Sequence, residues 1–300
     1  MKHSKIAIIG AGLVGSTTAY ALLLKNIAAE IILVDVNEVR CRGELLDLSD
    51  ALTFDGTSLI RIGNAHDASQ ADIIIIAAGK AQKPHESRTD LLQANILIFD
   101  AICKEITPIN PQAIVIIVTN PVDLMTLHIQ EKLNLPRKQI IGSGTFLDSQ
   151  RLRGLLSRLV NVSQQSINVS ILGEHGETQF VAWSTAEIAG TPLLQFPGIT
   201  QEKLTGIAQE VKDKAQEIIS CKGATYYGIA ACVAEICKII MFNQKTAIPV
   251  STYIEEYNIC LSVPVVIGES GIENLLPLTL NAQEKQQFIN SAKQLQSFQK

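Results

Sequence analysis

Five short apolar runs punctuate the first half of the chain, and stretches of helical periodicity separate them. KIAIIG, EIILVD, SLIRI, ADIIIIAA and AIVIIVT are rich in Ile and Val, with helical spacing over 13–25 and 89–106. Near-continuous apolar strands must be covered on both faces, and their alternation with helices predicts a parallel, doubly wound α/β sheet over residues 1–142. Beyond residue 142 the rhythm changes. A helical pattern at 145–160 precedes SINVSILG, long amphipathic patterns follow at 200–220 and 224–242, and the strand-like runs TAIPVSTYI, ICLSVPVVIG and LLPLTL come next, with GESG at 268–271 as a hairpin turn. A last helix is expected over 282–297. This is the pattern of a smaller α+β unit over 143–300, with no internal repeat or low-complexity linker.

Composition narrows the function more than the fold. A chain of 300 residues, 47% hydrophobic and 18% charged, is long enough for two cores. Its formal net charge of −4 and its lack of a Lys/Arg run argue against a nucleic-acid partner. The opening MKHSKIAIIGAGLVG imitates a leader, but glycines at 10, 12 and 15 interrupt its apolar run, so it reads as a buried fold start. No apolar stretch approaches the roughly 20 residues of a membrane span, and a cytoplasmic location is expected. Six cysteines form no Cys-x-x-Cys pair and no zinc spacing, so reduced structural thiols and no metal are expected.

GAGLVG at 10–15 follows one predicted strand and opens a helical pattern, and Asp35 ends the next strand 20 residues after Gly15. In such a turn Gly10 permits the tight bend, Gly12 lets the backbone approach a pyrophosphate, and Gly15 allows helix and sheet to pack closely. Asp35 can accept hydrogen bonds from a ribose and would repel a 2′-phosphate, which favours NAD over NADP. An isolated glycine motif would be weak; strand, helix and acidic residue in register make a dinucleotide site the better reading.

Three further segments, AQKPHESR (81–88), GSGTFLDSQR (142–151) and NVSILGEHGE (168–177), bring an imidazole in His175, a carboxylate in Asp148 and guanidinium groups in Arg88 and Arg151. That set suits the movement of a proton and a hydride on a small anionic carbonyl compound. Asp148 and Arg151 lie three residues apart, so a helix puts them on one face.

These segments, with VDVN, VTNPVD and KGATYYGIA, occur in an order and spacing that resembles the L-lactate/malate dehydrogenase family, and more closely its lactate branch. The resemblance runs nearly end to end. It implies a Rossmann domain, NAD dependence and a homo-oligomer, dimer or tetramer. It further implies His175 as proton donor and acceptor, Asp148 as the carboxylate that orients it, Arg151 as the grip on the substrate carboxylate, and Arg88 on a mobile loop polarising the carbonyl. Asn120 and Ser143 would sit near the nicotinamide, with a cis bond at Asn120–Pro121, and Thr225 would line the substrate pocket. Gln82 stands where malate dehydrogenases carry arginine; a neutral side chain leaves a second carboxylate unpaired, so pyruvate/lactate is expected ahead of oxaloacetate/malate. Lys80 and Lys83 flank that position and are expected to be solvated. A broader L-2-hydroxyacid dehydrogenase, a malate dehydrogenase and a non-catalytic NAD-binding protein are the alternatives. His3, His66 and His128 have no matched partners and are expected at the surface or in packing.

Two departures from the family pattern bear on turnover: His85 replaces a loop glycine, which implies altered loop closure, and Glu177 stands where aspartate is usual. A third bears on regulation. Lactate dehydrogenases activated by fructose 1,6-bisphosphate carry an arginine, matched by Arg153, and a histidine where this chain has Asn168; one missing cation at a symmetric anion site weakens phosphate binding on both subunits. Little or no activation is expected: steady-state assays with and without the bisphosphate should give the same pyruvate KM, and a large drop would refute this.

Overall fold

The computed structural model describes residues 4–55, 57–80 and 88–299. Gln82, Lys83, His85 and His3 lie outside the described residues, as does the Arg88 side chain. The first half runs β1 (Lys5–Ile9), α1 (Leu13–Leu24), β2 (Glu30–Val34), α2 (Glu38–Asp55), β3 (Leu59–Ile62), α3 (Ala65–Ser69), β4 (Ile73–Ile76), α4 (Arg88–Glu105), β5 (Ile114–Ile117), α5 (Val122–Lys132) and β6 (Ile140–Gly142). All six strands are parallel, in the order β6-β5-β4-β1-β2-β3. The order reverses between β1 and β4, so the loops that leave these neighbours part from each other and open a crevice at their carboxyl ends. Five of the six strands were legible as apolar runs; β6, only three residues long, was not.

The second half runs α6 (Phe146–Val160), the short strands β7 (Ile167–Asn168), β8 (Ile171–Leu172), β9 (Phe180–Val181), β10 (Glu187–Ile188) and β11 (Thr191–Pro192), then α7 (Gln201–Lys222), α8 (Tyr227–Met241), β12 (Thr246–Ile254), β13 (Ile259–Gly268), β14 (Gly271–Leu275) and α9 (Ala282–Gln296). Strands β12–β14 form an antiparallel meander whose inner edge meets β6 at Ser251 and Gly142, extending the first sheet to nine strands. The third strand is GIENL and not LLPLTL: pairing ends at Leu276, whose N–H still reaches the carbonyl of Pro264, because the following Pro277 has no N–H to donate. The GESG turn holds, with Gly268 opposite Gly271.

The main core lies on both faces of the nine-stranded sheet, where Ile73–Ile76 and Ile114–Ile117 are fully buried. Each such side chain contributes roughly 1.5–3 kcal/mol. Helix α8 of the second half packs across α1 of the first. A smaller core of Leu152, Leu156, Ile167, Ile171, Leu204 and Val211 seats α6 and α7 on the short strands. Side chains cap the helices: Thr200 accepts from the N–H of Lys203, Asn281 and Glu284 form a reciprocal capping box, and Gly223 in the left-handed region ends α7.

The glycines of the first turn divide by what surrounds them. Gly10 has φ +102°, and a methyl there would stand 2.4 Å from the backbone nitrogen of Ala78; one on Gly15 would stand 1.8 Å from the Gly10 carbonyl oxygen. Beside Gly12 there is open space. Gly15→Ala is therefore expected to cost about 2 kcal/mol or more, and Gly12→Ala about 1 kcal/mol or less; equal shifts of the two urea midpoints would contradict this packing.

Candidate active site

The open crevice begins at the glycine turn. Helix α1 starts at Gly12 without a side-chain cap, which leaves its first N–H groups for an anion. The Asp35 carboxylate closes the turn onto β2, accepting the N–H of Ala11 at 2.7 Å and of Asn37 at 2.8 Å. Next to it Val36 is fully solvent-exposed. An uncapped helix start, space for a ligand beside Gly12 and a carboxylate at the end of β2 fit a dinucleotide's pyrophosphate and ribose.

At the other end of the crevice lies a cleft of about 190 Å³ whose wall includes Asn120, Asp123, Asp148, His175 and Glu177. His175 Nδ1 and Asp148 Oδ2 are 2.7 Å apart, and Arg151 donates to the other carboxylate oxygen at 3.1 Å. The Asp148 side chain is only 4% exposed, while 28% of His175 remains open. Burial alone would raise the Asp148 pKa, but the charge of His175, its hydrogen bond and Arg151 outweigh burial and hold it below the usual carboxylate value. Burial likewise works against the imidazolium; Asp148, with help from Asp123, reverses this and raises the His175 pKa.

Hydrogen bonds on all sides fix that geometry. Helix α6 is tied to β8 because the Thr145 hydroxyl donates to the carbonyl of Ile171 and Ser149 accepts the N–H of the same residue. The turn that carries His175 bridges to β13 through reciprocal bonds between Gly173 and Ser262, and to α9 through the N–H of Glu174 on Ser291. Gly173 takes φ +90°, and a methyl there would stand 2.5 Å from the Ser291 hydroxyl. Beneath His175 its backbone N–H goes to Asp123 Oδ2 at 2.8 Å, and Ser251 donates to Asp123 Oδ1 at 2.6 Å. The cis bond at Asn120–Pro121 is present, and the buried Asn95 binds the Asn120 carbonyl and the Lys80 N–H, both at 2.8 Å. Asp123, Ser251 and Asn95 went unnoticed in the sequence, although Asp123 stands inside VTNPVD, a motif already singled out.

His175, Asp148, Arg151 and Asn120 thus converge. Ser143 is buried directly after β6, its N–H on the Ile117 carbonyl. Thr225 lies in the turn between α7 and α8 and is not among the residues that wall the cleft. Gln82 and the Arg88 side chain fall outside the described residues. His128, expected to lack a partner, has one: its Nε2 lies 2.8 Å from Asp100, which also meets Lys132. Away from the cleft Arg153 donates to the Val169 carbonyl, and the Asn168 amide is held by Glu187, which puts a carboxylate next to Asn168. A larger cavity of about 410 Å³ between α7 and α9 has no imidazole or guanidinium in its wall. Among the described residues no helix is long and apolar enough to cross a membrane.

A doubly wound dinucleotide-binding sheet beside this cluster defines a pyridine-nucleotide oxidoreductase. Residues 4–142 match the family model for the lactate/malate dehydrogenase NAD-binding domain, and residues 145–300 match its α/β C-terminal domain. The chain belongs to the lactate/malate dehydrogenase family. It is 45% identical to L-lactate dehydrogenase A of Rhizopus oryzae over 98% of this chain and 92% of the relative, and 40% identical to the L-lactate dehydrogenase of Halalkalibacterium halodurans over 99% and 97%. Among solved structures, the minor L-lactate dehydrogenase of Enterococcus mundtii superimposes with a TM-score of 0.95 at 33% identity, covering 99% of this chain and 98% of that one.

Linkage gives the buried pair a signature in stability. The depressed Asp148 pKa stabilises the fold above about pH 4 and is lost as pH falls through the folded value; the raised His175 pKa stabilises below about pH 6.5 and is lost as pH rises through its folded value. Asp148→Asn should therefore cost more at pH 5.5, about 3 kcal/mol, than at pH 9, where only the Arg151 contact is forfeited. Equal losses in urea unfolding at both pH values would refute the linkage.

Proposed function

We propose that this chain is an NAD-dependent L-lactate dehydrogenase, interconverting pyruvate and L-lactate with a His175–Asp148 proton relay. The 2.7 Å contact between these two side chains at the wall of the cleft carries the reading. With Nδ1 bonded to Asp148, Nε2 is the atom left to exchange a proton with the substrate oxygen. A raised pKa keeps the imidazole protonated for pyruvate reduction, and the neutral form accepts the proton in lactate oxidation. Arg151 pairs with the substrate carboxylate through its guanidinium plane and so orients the carbonyl. Arg88 stabilises the negative charge that develops on the carbonyl oxygen once water is excluded. Asn120, Thr225 and Gln82 complete the substrate pocket, and Ser143 lies against the nicotinamide.

Bound reduced NAD supplies the hydride for the carbonyl carbon. Gly12 and the uncapped start of α1, in the turn that Gly10 and Gly15 shape, hold its pyrophosphate, and Asp35 its ribose. We read the protein as a cytoplasmic homo-oligomer, dimer or tetramer. Five of its six free cysteines are buried, as a reducing compartment allows, and Tyr20 and Leu24 on α1, Leu46 on α2 and Tyr227 on α8 are exposed apolar side chains available to a second copy.

NADH oxidation followed with pyruvate, oxaloacetate and 2-oxoisocaproate in parallel tests the substrate. Pyruvate should exceed both in kcat/KM by orders of magnitude. A preference for oxaloacetate would mean that a cation reads the second carboxylate despite Gln82, and no turnover of any of the three would favour a non-catalytic protein.

A further inference from the structure

We infer that Asp123 is a second carboxylate behind His175, a positioning residue that holds the imidazole from its backbone side and sets its acidity. This rests on His175 as the proton donor proposed above. The carboxylate is 2% exposed, yet among the described residues it forms no ion pair. Its two oxygens are engaged by neutral donors, the backbone N–H of His175 and the Ser251 hydroxyl. Three elements thereby meet on one residue: the first turn of α5, the turn bearing His175, and β12 at the place where it joins β6.

The position is informative because Asp148 already binds Nδ1. Orientation of the ring needs one carboxylate. A second, buried one next to the same residue adds negative potential in a medium where little water screens it. The groups that face Asp123 are His175 and Glu174 from the 173–177 turn and Cys260 from β13, with Asp148 and Arg151 of α6 behind His175. Burial pushes the Asp123 pKa up to about 6, against the pull of Ser251 and His175, so it is ionised near neutrality and the imidazolium gains from it. Glu174 opposes Asp123 ionisation but is held by Thr178 on the far side of the turn.

Asp123→Asn separates charge from shape. Its amide oxygen can still accept the His175 N–H, and its NH₂ can donate to the Ser251 hydroxyl, which accepts as readily as it gives. Pyruvate reduction requires the protonated imidazole, so kcat/KM falls as pH rises through the His175 pKa. In Asp123→Asn this fall should move to lower pH by about half a unit or more, whatever the change in the height of the acid plateau. Ser251→Ala keeps the carboxylate but removes a donor that favours its ionised form, so it should shift the profile the same way by less. Profiles that superimpose on the parent in both variants would overturn the inference, since a purely structural role does not move the limb. Should Asp123→Asn not accumulate as folded protein, the Ser251→Ala profile decides alone. Absence of pyruvate reduction in the parent would instead count against the proposed function.

Discussion

A carboxylate with almost no access to water, divided between an imidazole and a guanidinium, is the constraint around which the second half of the molecule is arranged. Asp148 is tolerable in that place only because both oxygens are engaged, one by His175 and one by Arg151. Each partner needs its own fixed origin. Arg151 comes from the same helix one turn on, so the helix supplies it without further cost in order. His175 comes from a turn that must be held from outside, and Thr145, Ser149, Ser262, Ser291 and Asp123 do so with short hydrogen bonds. Apart from the backbone of Ser262, these are small hydroxyl and carboxyl groups bonded largely to backbone, which suits precision: few rotatable bonds separate the scaffold from the imidazole.

The two halves of the chain are less separate than their sequence patterns suggest. Because β12 pairs with β6 at Gly142, the carboxyl edge of the dinucleotide-binding sheet continues into the strand that holds Ser251, and from there to Asp123. Gly142 is spaced for this: a methyl on it would lie 2.8 Å from the Ser251 side chain and 2.4 Å from the Thr126 hydroxyl. The glycine turn at one end of the crevice and the His175 cleft at the other therefore stand on one sheet, with α8 packed on α1 as a second tie. Any motion between the glycine turn and the His175–Asp148 pair must strain that shared sheet, which favours constant geometry between them.

Much of this was legible beforehand. Strands that are apolar on both faces announce themselves by composition, and helices with one apolar stripe by spacing, so the doubly wound sheet and the helices α1, α4 and α6 to α9 were recovered to within a few residues, while α2 and α5 were not placed. The resemblance carried Asp148, Arg151, Asn120 and His175 to one place, and the helical i, i+3 spacing of two of them already hinted at a shared face. What was lost followed from short range and long range alike. β6 is too short to leave a pattern, and Pro277 ends a strand that apolar content alone would extend. Asp123 and Ser251 are 128 residues apart in the chain, and nothing local marks a buried carboxylate whose partners lie across a sheet. Asn95 and the Asp100–His128 pair were hidden for the same reason: their meaning lies in a neighbouring helix or loop.

The distribution of charge gives the site a direction. In the described wall of the cleft stand Asp123, Asp148, Glu174 and Glu177, against the ammonium of Lys212 and the imidazole itself, with the guanidinium of Arg151 bonded to Asp148. Arg151 is already engaged with Asp148, and the two oxygens of Asp123 are bonded by neutral donors alone. The buried carboxylates favour a proton on His175, so the resting state suits a proton-accepting substrate rather than its reduced alcohol form. On the proposed reading that is pyruvate reduction. Lactate oxidation begins by contrast from the neutral imidazole, which these carboxylates disfavour, and it gains only as pH rises above the His175 pKa. The asymmetry needs no extra device; it follows from placing two carboxylates that water barely reaches, one before the ring and one behind its backbone.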